Sequence, residues 1–427
     1  MSGGLPTFLL LFLFVCWQQC QCANVLFTVF HDRGSHFGSM LPLMERLARH
    51  GHAVSVLDTI HRSDKSPLIR HIRATLPHAE TEDEAERLVF AEFFWNQTDS
   101  SVTLPQFYNQ ADGHLATLML NHSAKMVDLF NENWDLIVID DLMWPFGYFL
   151  ATFKQRFWHS ARIGPRPHVI VYGTAAQTLV SAESVRATKS FNGFLILFSL
   201  FGRNWISRVP FCPFMPTDSQ NVFRPTLFAH RLFAFYENFA ELVLLNWITE
   251  SYMMPNIANF GVPNFSWAEL FRHTAYEFSD FIDRLGWPLA HGPEMLNVGS
   301  HCKSAGPLPS EFAQLIEQPH YYRGTILVAF GSYPDWDVLQ TIQAIVSDPK
   351  SVLRSRKFRD IFTDRIIPPL DEAFFRVQRL VRGNNSQIEQ MQRNVLRRKG
   401  ADFDWTEFAH FDLAIFILTI ILTIAKF

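Results

Sequence analysis

Near the start of the chain, apolar positions change rhythm twice within one short stretch. Asn24 to Phe30 (NVLFTVF) is an apolar, β-branched run of strand length. A turn-rich loop follows, from His31 to Ser35. Phe37, Met40, Leu41, Met44, Leu47 and Ala48 then recur at the three- and four-residue spacing of one helix face. Gly51 stands just past that pattern, where a helix favours a residue able to turn left-handed. Ala53 to Leu57 (AVSVL) reads as a second buried strand. Strand, helix and strand in this order predict a right-handed parallel βαβ unit, the opening of a doubly wound sheet.

The same rhythm returns further on. Leu136 to Ile139 is a strand candidate ending at Asp140 and Asp141, and His168 to Tyr172 is another. Phe191 to Phe201 (FNGFLILFSLF) is too short to span a bilayer, which leaves a core helix or a membrane-facing patch. Pro210, Pro213 and Pro216 break regular structure after it. A second domain is expected near Met295, with strands at Met295 to Val298 and Thr325 to Phe330, the latter running into Gly331 and Ser332. Beyond Trp336 the chain turns helical and charged, without further buried-strand runs. An open α/β domain needs several βα repeats. This second domain therefore reads as incomplete.

Composition sharpens the picture in places. A length of 427 residues suggests about two or three domains. The 42 phenylalanines supply apolar area for a core or for a cleft that takes greasy ligands. A formal charge of -4 argues against a nucleic-acid partner, since such proteins carry a basic stripe. At the N-terminus, Leu9 to Val15 is a short apolar run followed by Gln18, Gln19, Cys20 and Cys22. It reads as a signal peptide cleaved near Ala23, although no Lys or Arg precedes it. At the other end, Leu413 to Ala425 is apolar but shorter than the roughly 20 residues of a spanning helix. It reads as a tail anchor, with a buried or interfacial helix as the alternative.

The remaining cysteines, Cys212 and Cys302, do not make a disulfide framework. Sequons begin at Asn96, Asn121, Asn264 and Asn384, each a common accident alone. Taken with the N-terminal segment, they favour the secretory route.

Candidate chemistry follows from topology. Open parallel sheets bind ligands at the carboxyl ends of their strands. His36 lies just past the first strand, and Asp140 and Asp141 end a later one. An imidazole beside a carboxylate is a general-base arrangement, because the carboxylate fixes the tautomer and stabilises the imidazolium. A lone histidine at a helix start is more often structural. No Gly-x-Gly-x-x-Gly fingerprint and no metal-ligand cluster is apparent.

The stretch GSHFGSMLPLMERLARHGHAVSVL, Gly34 to Leu57, resembles the opening of the animal UDP-glucuronosyltransferases, within the UDP-glycosyltransferase family. WDLIVIDDLMWP, Trp134 to Pro145, is similar to the family segment that carries the aspartate partner of the catalytic histidine. By that resemblance His36 is the base. The aspartate is Asp140 when counted from Trp134 and Asp141 when counted back from Pro145. WPLAHGPEMLNVGSHC, Trp287 to Cys302, and TILVAFGS, Thr325 to Ser332, resemble the domain linker and first donor-domain strands. Ser332 would then touch the diphosphate; the bland alternative is a turn serine. DRIIPPLDEAFFRVQRLVR, Asp364 to Arg382, and the apolar tail resemble the family's returning helix, juxtamembrane segment and anchor.

One departure is large. The family's donor signature has a Thr-His-Gly-Gly run opening a helix, and further on an Asp-Gln pair. The helix N-terminus holds the pyrophosphate and the pair binds sugar hydroxyls. None of it is present: FGSYPDWD, Phe330 to Asp337, leads directly into VLQTIQAIVSDPKS.

The resemblance implies an α/β fold with two Rossmann-like domains of the GT-B type, the second truncated, and a C-terminal membrane-anchor helix. Its divisions are a signal peptide at 1–22, an acceptor-binding domain at 23–290 and an incomplete UDP-sugar domain at 291–365. The returning helix and juxtamembrane segment take 366–408, and the anchor 409–427. The implied activity is inverting, metal-independent transfer of a sugar from a UDP-sugar, UDP-glucuronate or UDP-glucose, to a small lipophilic hydroxyl acceptor. No cofactor is implied beyond this co-substrate. The implied setting is the endoplasmic reticulum membrane, single-pass, with the body in the lumen. Homo- or hetero-oligomers with full-length relatives form a further class of partner. The missing signature supports a different class of function, an inactive relative that binds aglycones or serves as a partner subunit.

Overall fold

A computed structural model describes residues 22–29, 35–59, 66–76, 105–141, 144–158, 166–174, 226–229, 232, 241–280, 295–299, 310–316, 348, 350–381 and 411–424. Strands β1 (Asn24–Thr28), β2 (Ala53–Asp58), β3 (Arg70–Arg73), β4 (Leu136–Asp140), β5 (His168–Gly173), β6 (Thr274–Ser279) and β7 (Met295–Asn297) form one sheet. Their spatial order is β3-β2-β1-β4-β5-β6-β7 and every pairing is parallel. The order reverses between β1 and β4, so the chain winds outward in both directions from that junction. This is the doubly wound α/β arrangement, whose crevice lies beyond the strand ends at the reversal.

Sheet parity sends alternate side chains to two cores. On one face lies helix α1 (Ser35–Arg49), which buries Phe37, Met40, Leu43, Met44 and Leu47 against Val25, Phe27 and Val138. α1 ends as its sequence predicts. Gly51 takes φ +90°, its N–H reaches the Ala48 carbonyl at 3.0 Å and the His52 N–H reaches Leu47 at 3.2 Å. That pair of bonds satisfies carbonyls of the last turn.

The opposite face carries α2 (Pro105–Asn121), α3 (Ser123–Asn131), α4 (Pro145–Phe157), α5 (Pro255–Asn259), α6 (Trp267–His273) and a π-helical segment (Glu241–Met253). Its core is rich in large rings, among them Trp134, Trp144, Tyr148 and Phe149, all buried. Trp267 meets Tyr148 edge-on at 4.7 Å between centroids. Edge-to-face contacts of this kind suit the ring quadrupoles.

Met295–Asn297, expected from sequence to open a second domain, pairs instead with β6 as the edge strand of the first sheet. Sequence order says nothing about which edge a strand joins. Thr325 to Phe330 and Phe191 to Phe201 lie outside the described residues. The late helix α9 (Pro369–Val381) folds back onto this sheet. Ala373, Val377, Leu380 and Val381 are buried in the α1 core, an ion pair joins Arg46 to Asp371, and the Arg46 guanidinium lies 5.0 Å over Phe374. Helices α7 (Ser310–Ile316) and α8 (Ser351–Thr363) lie between the sheet and α9 in sequence.

The tail forms α10 (Phe411–Ile424), exposed from Ile415 to Ile424. Among the described residues no helix is long and apolar enough to cross a membrane. At 1.5 Å per residue, α10 reaches only about two thirds of a hydrocarbon core about 30 Å thick. The single-pass anchor expected over 409–427 thus has no spanning helix among them.

Candidate active site

The first turn of α1 and the ends of β4 and β5 meet at the topological reversal. β1 and α1 follow one another closely, so His36 is delivered to the carboxyl end of the sheet by the shortness of the loop before it. His36 Nδ1 lies 2.6 Å from Asp140 Oδ2, and the aspartate is fully buried. Thr174, the first residue after β5, places its Oγ1 2.6 Å from the same Nδ1 and 3.2 Å from Asp140 Oδ1. A neutral imidazole has one N–H and one acceptor nitrogen. With a carboxylate against Nδ1, the proton belongs there and Nε2 becomes the basic nitrogen. This is the general-base geometry.

Asp141 goes elsewhere. β4 sends Leu136 and Val138 toward α1, so Asp140 shares their face, and Asp141, one step on, falls on the other. There the Tyr148 hydroxyl donates to the Asp141 carbonyl at 2.5 Å, and the Asp141 N–H donates to the Tyr172 carbonyl at 3.1 Å. The Asp141 side chain rests against Gly173, where a Cβ would stand 3.1 Å from Oδ2. Its Oδ1 is buried without a hydrogen-bond partner. Burial drives its carboxyl well above the usual range, reinforced by the nearby charges of Asp140 and Glu277 and opposed by His36. Burial thus favours the protonated form of Asp141, where Asp140 engages the imidazole.

A second imidazole–carboxylate contact lies on the α1 face. His71 Nδ1 stands 3.4 Å from Asp58 Oδ2, with the Phe37 ring 6.3 Å from the imidazole. At that separation it is looser than the His36 pair, and both members are buried.

Of the residues singled out in the sequence, His36 and Asp140 come together and Asp141 turns away. Ser332, Asn96 and Asn384 lie outside the described residues. Asn121 is exposed at the end of α2, and Asn264 is exposed in a loop at φ 52°. Among the described residues no cluster of His, Cys, Asp or Glu could hold a metal ion. Thr174 is the member of the site that sequence reasoning misses. No motif marks it, but it falls two positions past Tyr172, which is in register with Asp140. Alternation alone puts it on the dyad's face.

Comparison with known proteins gives partial matches. No family profile matches the chain. Over 345 residues it is 22% identical to UDP-glucuronosyltransferase 2A3 of Mus musculus, covering 74% of this chain and 56% of that protein. The chain thus spans little more than half the length of that curated relative. A solved structure of Phytolacca americana UGT2, complexed with UDP-2fluoro-glucose and pterostilbene, aligns over 67% of this chain and 56% of its own. The identity there is 11% and the TM-score 0.28. The sequence likeness, at 22% identity, is to a UDP-glucuronosyltransferase.

Proposed function

We propose that the chain is a glucuronosyltransferase-like UDP-glycosyltransferase. It would follow the GT-B plan with a truncated second Rossmann-like domain, and move a sugar from UDP to a small lipophilic hydroxyl compound. The observation carrying this reading is the 2.6 Å contact of His36 with Asp140 at the reversal of the sheet. His36 Nε2 takes the acceptor's hydroxyl proton, and Asp140 stabilises the imidazolium. The acceptor oxygen attacks the anomeric carbon from the side opposite UDP. The bond from that carbon to the phosphate oxygen breaks, UDP leaves with the electron pair, and the configuration inverts.

Several finer points belong to the same proposal. The donor is UDP-glucuronate or UDP-glucose, and Ser332 touches its diphosphate by resemblance. The setting is the lumenal side of the endoplasmic reticulum membrane, and self-association or pairing with full-length relatives is its assembly mode. Exposure of Asn121 and Asn264 is compatible with glycosylation there.

The test is release of UDP by the purified full chain, given a UDP-sugar and a phenolic acceptor, alongside calorimetric titration with UDP. Saturable UDP binding, with turnover lost in His36→Ala, is the expected result. Binding without turnover in a folded protein would overturn the transferase reading.

A second reading rests on a specific observation. The family's Thr-His-Gly-Gly and Asp-Gln elements are missing between Phe330 and Val338. A chain without them binds an aglycone without processing it, or modulates a full-length relative. The same titration separates the two: no UDP binding together with aglycone binding favours this second reading.

A further inference from the structure

We propose that Thr174 is a positioning residue that locks His36 in its Nδ1–H tautomer, closing a three-way clamp with Asp140. The inference rests on His36 being the base, yet its principal test needs no transfer activity.

Thr174 Oγ1 lies within hydrogen-bond distance of both members of the pair, 2.6 Å from His36 Nδ1 and 3.2 Å from Asp140 Oδ1. A hydroxyl has one proton to give and lone pairs to receive with. Asp140 is an acceptor on both oxygens, so the hydroxyl proton goes to Oδ1. The Thr174 oxygen then faces Nδ1 as an acceptor, which it can satisfy only if Nδ1 carries the ring proton. Asp140 Oδ2, 2.6 Å from Nδ1, makes the same demand. Two acceptors at one nitrogen favour a single tautomer and leave Nε2 basic. In the alternative tautomer the bare Nδ1 lone pair would oppose Asp140 Oδ2, and Thr174 could donate to Nδ1 only by giving up its bond to Asp140 Oδ1, which leaves the buried carboxylate short of partners.

The fold supplies the clamp through parity. β5 pairs with β4 in parallel, with Tyr172 opposite Asp140. Tyr172 and Thr174 therefore share the α1 face. Each braces the histidine by a different route. The Tyr172 hydroxyl lies 3.1 Å from the Ser39 carbonyl, close after His36 on α1, and 3.1 Å from Asp280 Oδ1. Tyr172 holds the helix backbone, and Thr174 holds the ring. Between them Gly173 leaves room for Asp141 on the far face. The strand end thus serves both sides at once.

The experiment is histidine-nitrogen NMR on the full chain labelled with 15N-histidine, His36 being assigned by its loss in His36→Gln. In the wild type, His36 Nδ1 is expected at the shift of a protonated nitrogen and Nε2 at that of a bare one. Thr174→Val keeps the shape and deletes the hydroxyl; it is expected to move both resonances toward tautomer averaging. Thr174→Ser should restore the wild-type pattern. Unchanged thermal unfolding of the valine variant would show that packing alone is not responsible; should it unfold, Thr174→Ala, which also deletes the hydroxyl, gives the same readout. If UDP-sugar transfer is present, Thr174→Val should lower kcat on the order of tenfold with little change in acceptor KM. An unaltered His36 spectrum in folded Thr174→Val would overturn the proposal, whatever the activity. A chain with the expected spectra and no turnover would overturn only the transferase reading.

Discussion

On the α1 face of the sheet, Asp140 meets His36 and Thr174 within hydrogen-bond distance, beside a core of mostly aliphatic side chains with a few rings such as Phe27 and Phe278. One residue later, on the opposite face, Asp141 sits beneath a layer of tryptophan, tyrosine and phenylalanine, with Glu277 as a neighbouring charge. The two side chains are chemically identical and adjacent in sequence. Alternation across a strand gives one an imidazole partner and the other a desolvated setting that favours its protonated form. On the proposed reading, the polar groups of the α1 face carry the proton transfer and those of the aromatic face serve packing. This division can be broken by experiment.

The largest effect is expected at Asp140. Asp140→Asn replaces an acceptor by an amide whose NH2 faces Nδ1, which favours the wrong tautomer. Where transfer is measurable, the rate should fall by about 10²- to 10⁴-fold with the fold intact. Asp141→Asn, one position on, should leave the rate close to wild type. Equal losses in the two variants, read as kcat for UDP release, would dissolve the distinction between the faces.

Asp141→Asn should act on stability instead. A carboxyl whose folded pKa is raised binds its proton more tightly folded than unfolded. Stability therefore falls as pH climbs from the ordinary aspartate value toward the folded one, and stays lower above it. The asparagine variant loses this slope. It should match the wild type in strong acid and exceed it near neutrality, as denaturant midpoints at two pH values would show.

Asp112, also on the aromatic face, offers a smaller version with a defined window. Its Oδ2 accepts from the Asn256 backbone N–H at 3.0 Å and the Asn256 side-chain amide at 2.9 Å, which ties α2 to the start of α5. Burial nevertheless lifts its carboxyl from 3.8 to about 6, against the pull of those bonds. Between those values, rising pH should cost the protein up to ~2 kcal/mol through this group once solvent screening is allowed for. Asp112→Asn keeps an acceptor for both bonds and should remove that slope. A stability difference between wild type and variant that stays flat from 3.8 to about 6 on the pH scale would show the carboxyl to be ionised throughout.

Much of this division is legible in the sequence. The runs at Asn24, Ala53, Leu136 and His168 announce strands because buried parallel strands are apolar on both faces. The imidazole and the carboxylates sit where a doubly wound sheet gathers its ligands. What the sequence leaves open is which carboxylate pairs with His36, since counting from either flank of Trp134 to Pro145 gives both answers. The register of β4 decides it, and that register is a property of the pairing. β3 is hidden because RHIR has no apolar run; it holds through pairing with β2 and through Arg70 contacts to Ser55 and Glu132. β6 is hidden because Glu277 interrupts its apolar pattern, and the same carboxylate is a neighbouring charge at the site. β7 reads as a strand but points to another domain, since three residues do not reveal their partner.

The smallest effect tests whether polar contacts on the aromatic face are structural alone. Arg156, on α4, bonds Glu269 of α6 through Nε at 2.8 Å and Nη2 at 2.6 Å, and also caps the carbonyls of Pro263 and Asn264. The guanidinium fork matches a carboxylate two bonds at a time, which lysine cannot do. Arg156→Lys keeps the charge and loses the second bond and at least one carbonyl. About 1 kcal/mol of stability should go, read as a lower denaturant midpoint. Acceptor affinity and the His36 spectrum should not move, because the pair lies on the far side of the sheet from the clamp. A shifted His36 resonance in this variant would mean that the two faces communicate through β4 and β5. The aromatic layer would then belong to the site rather than merely support it.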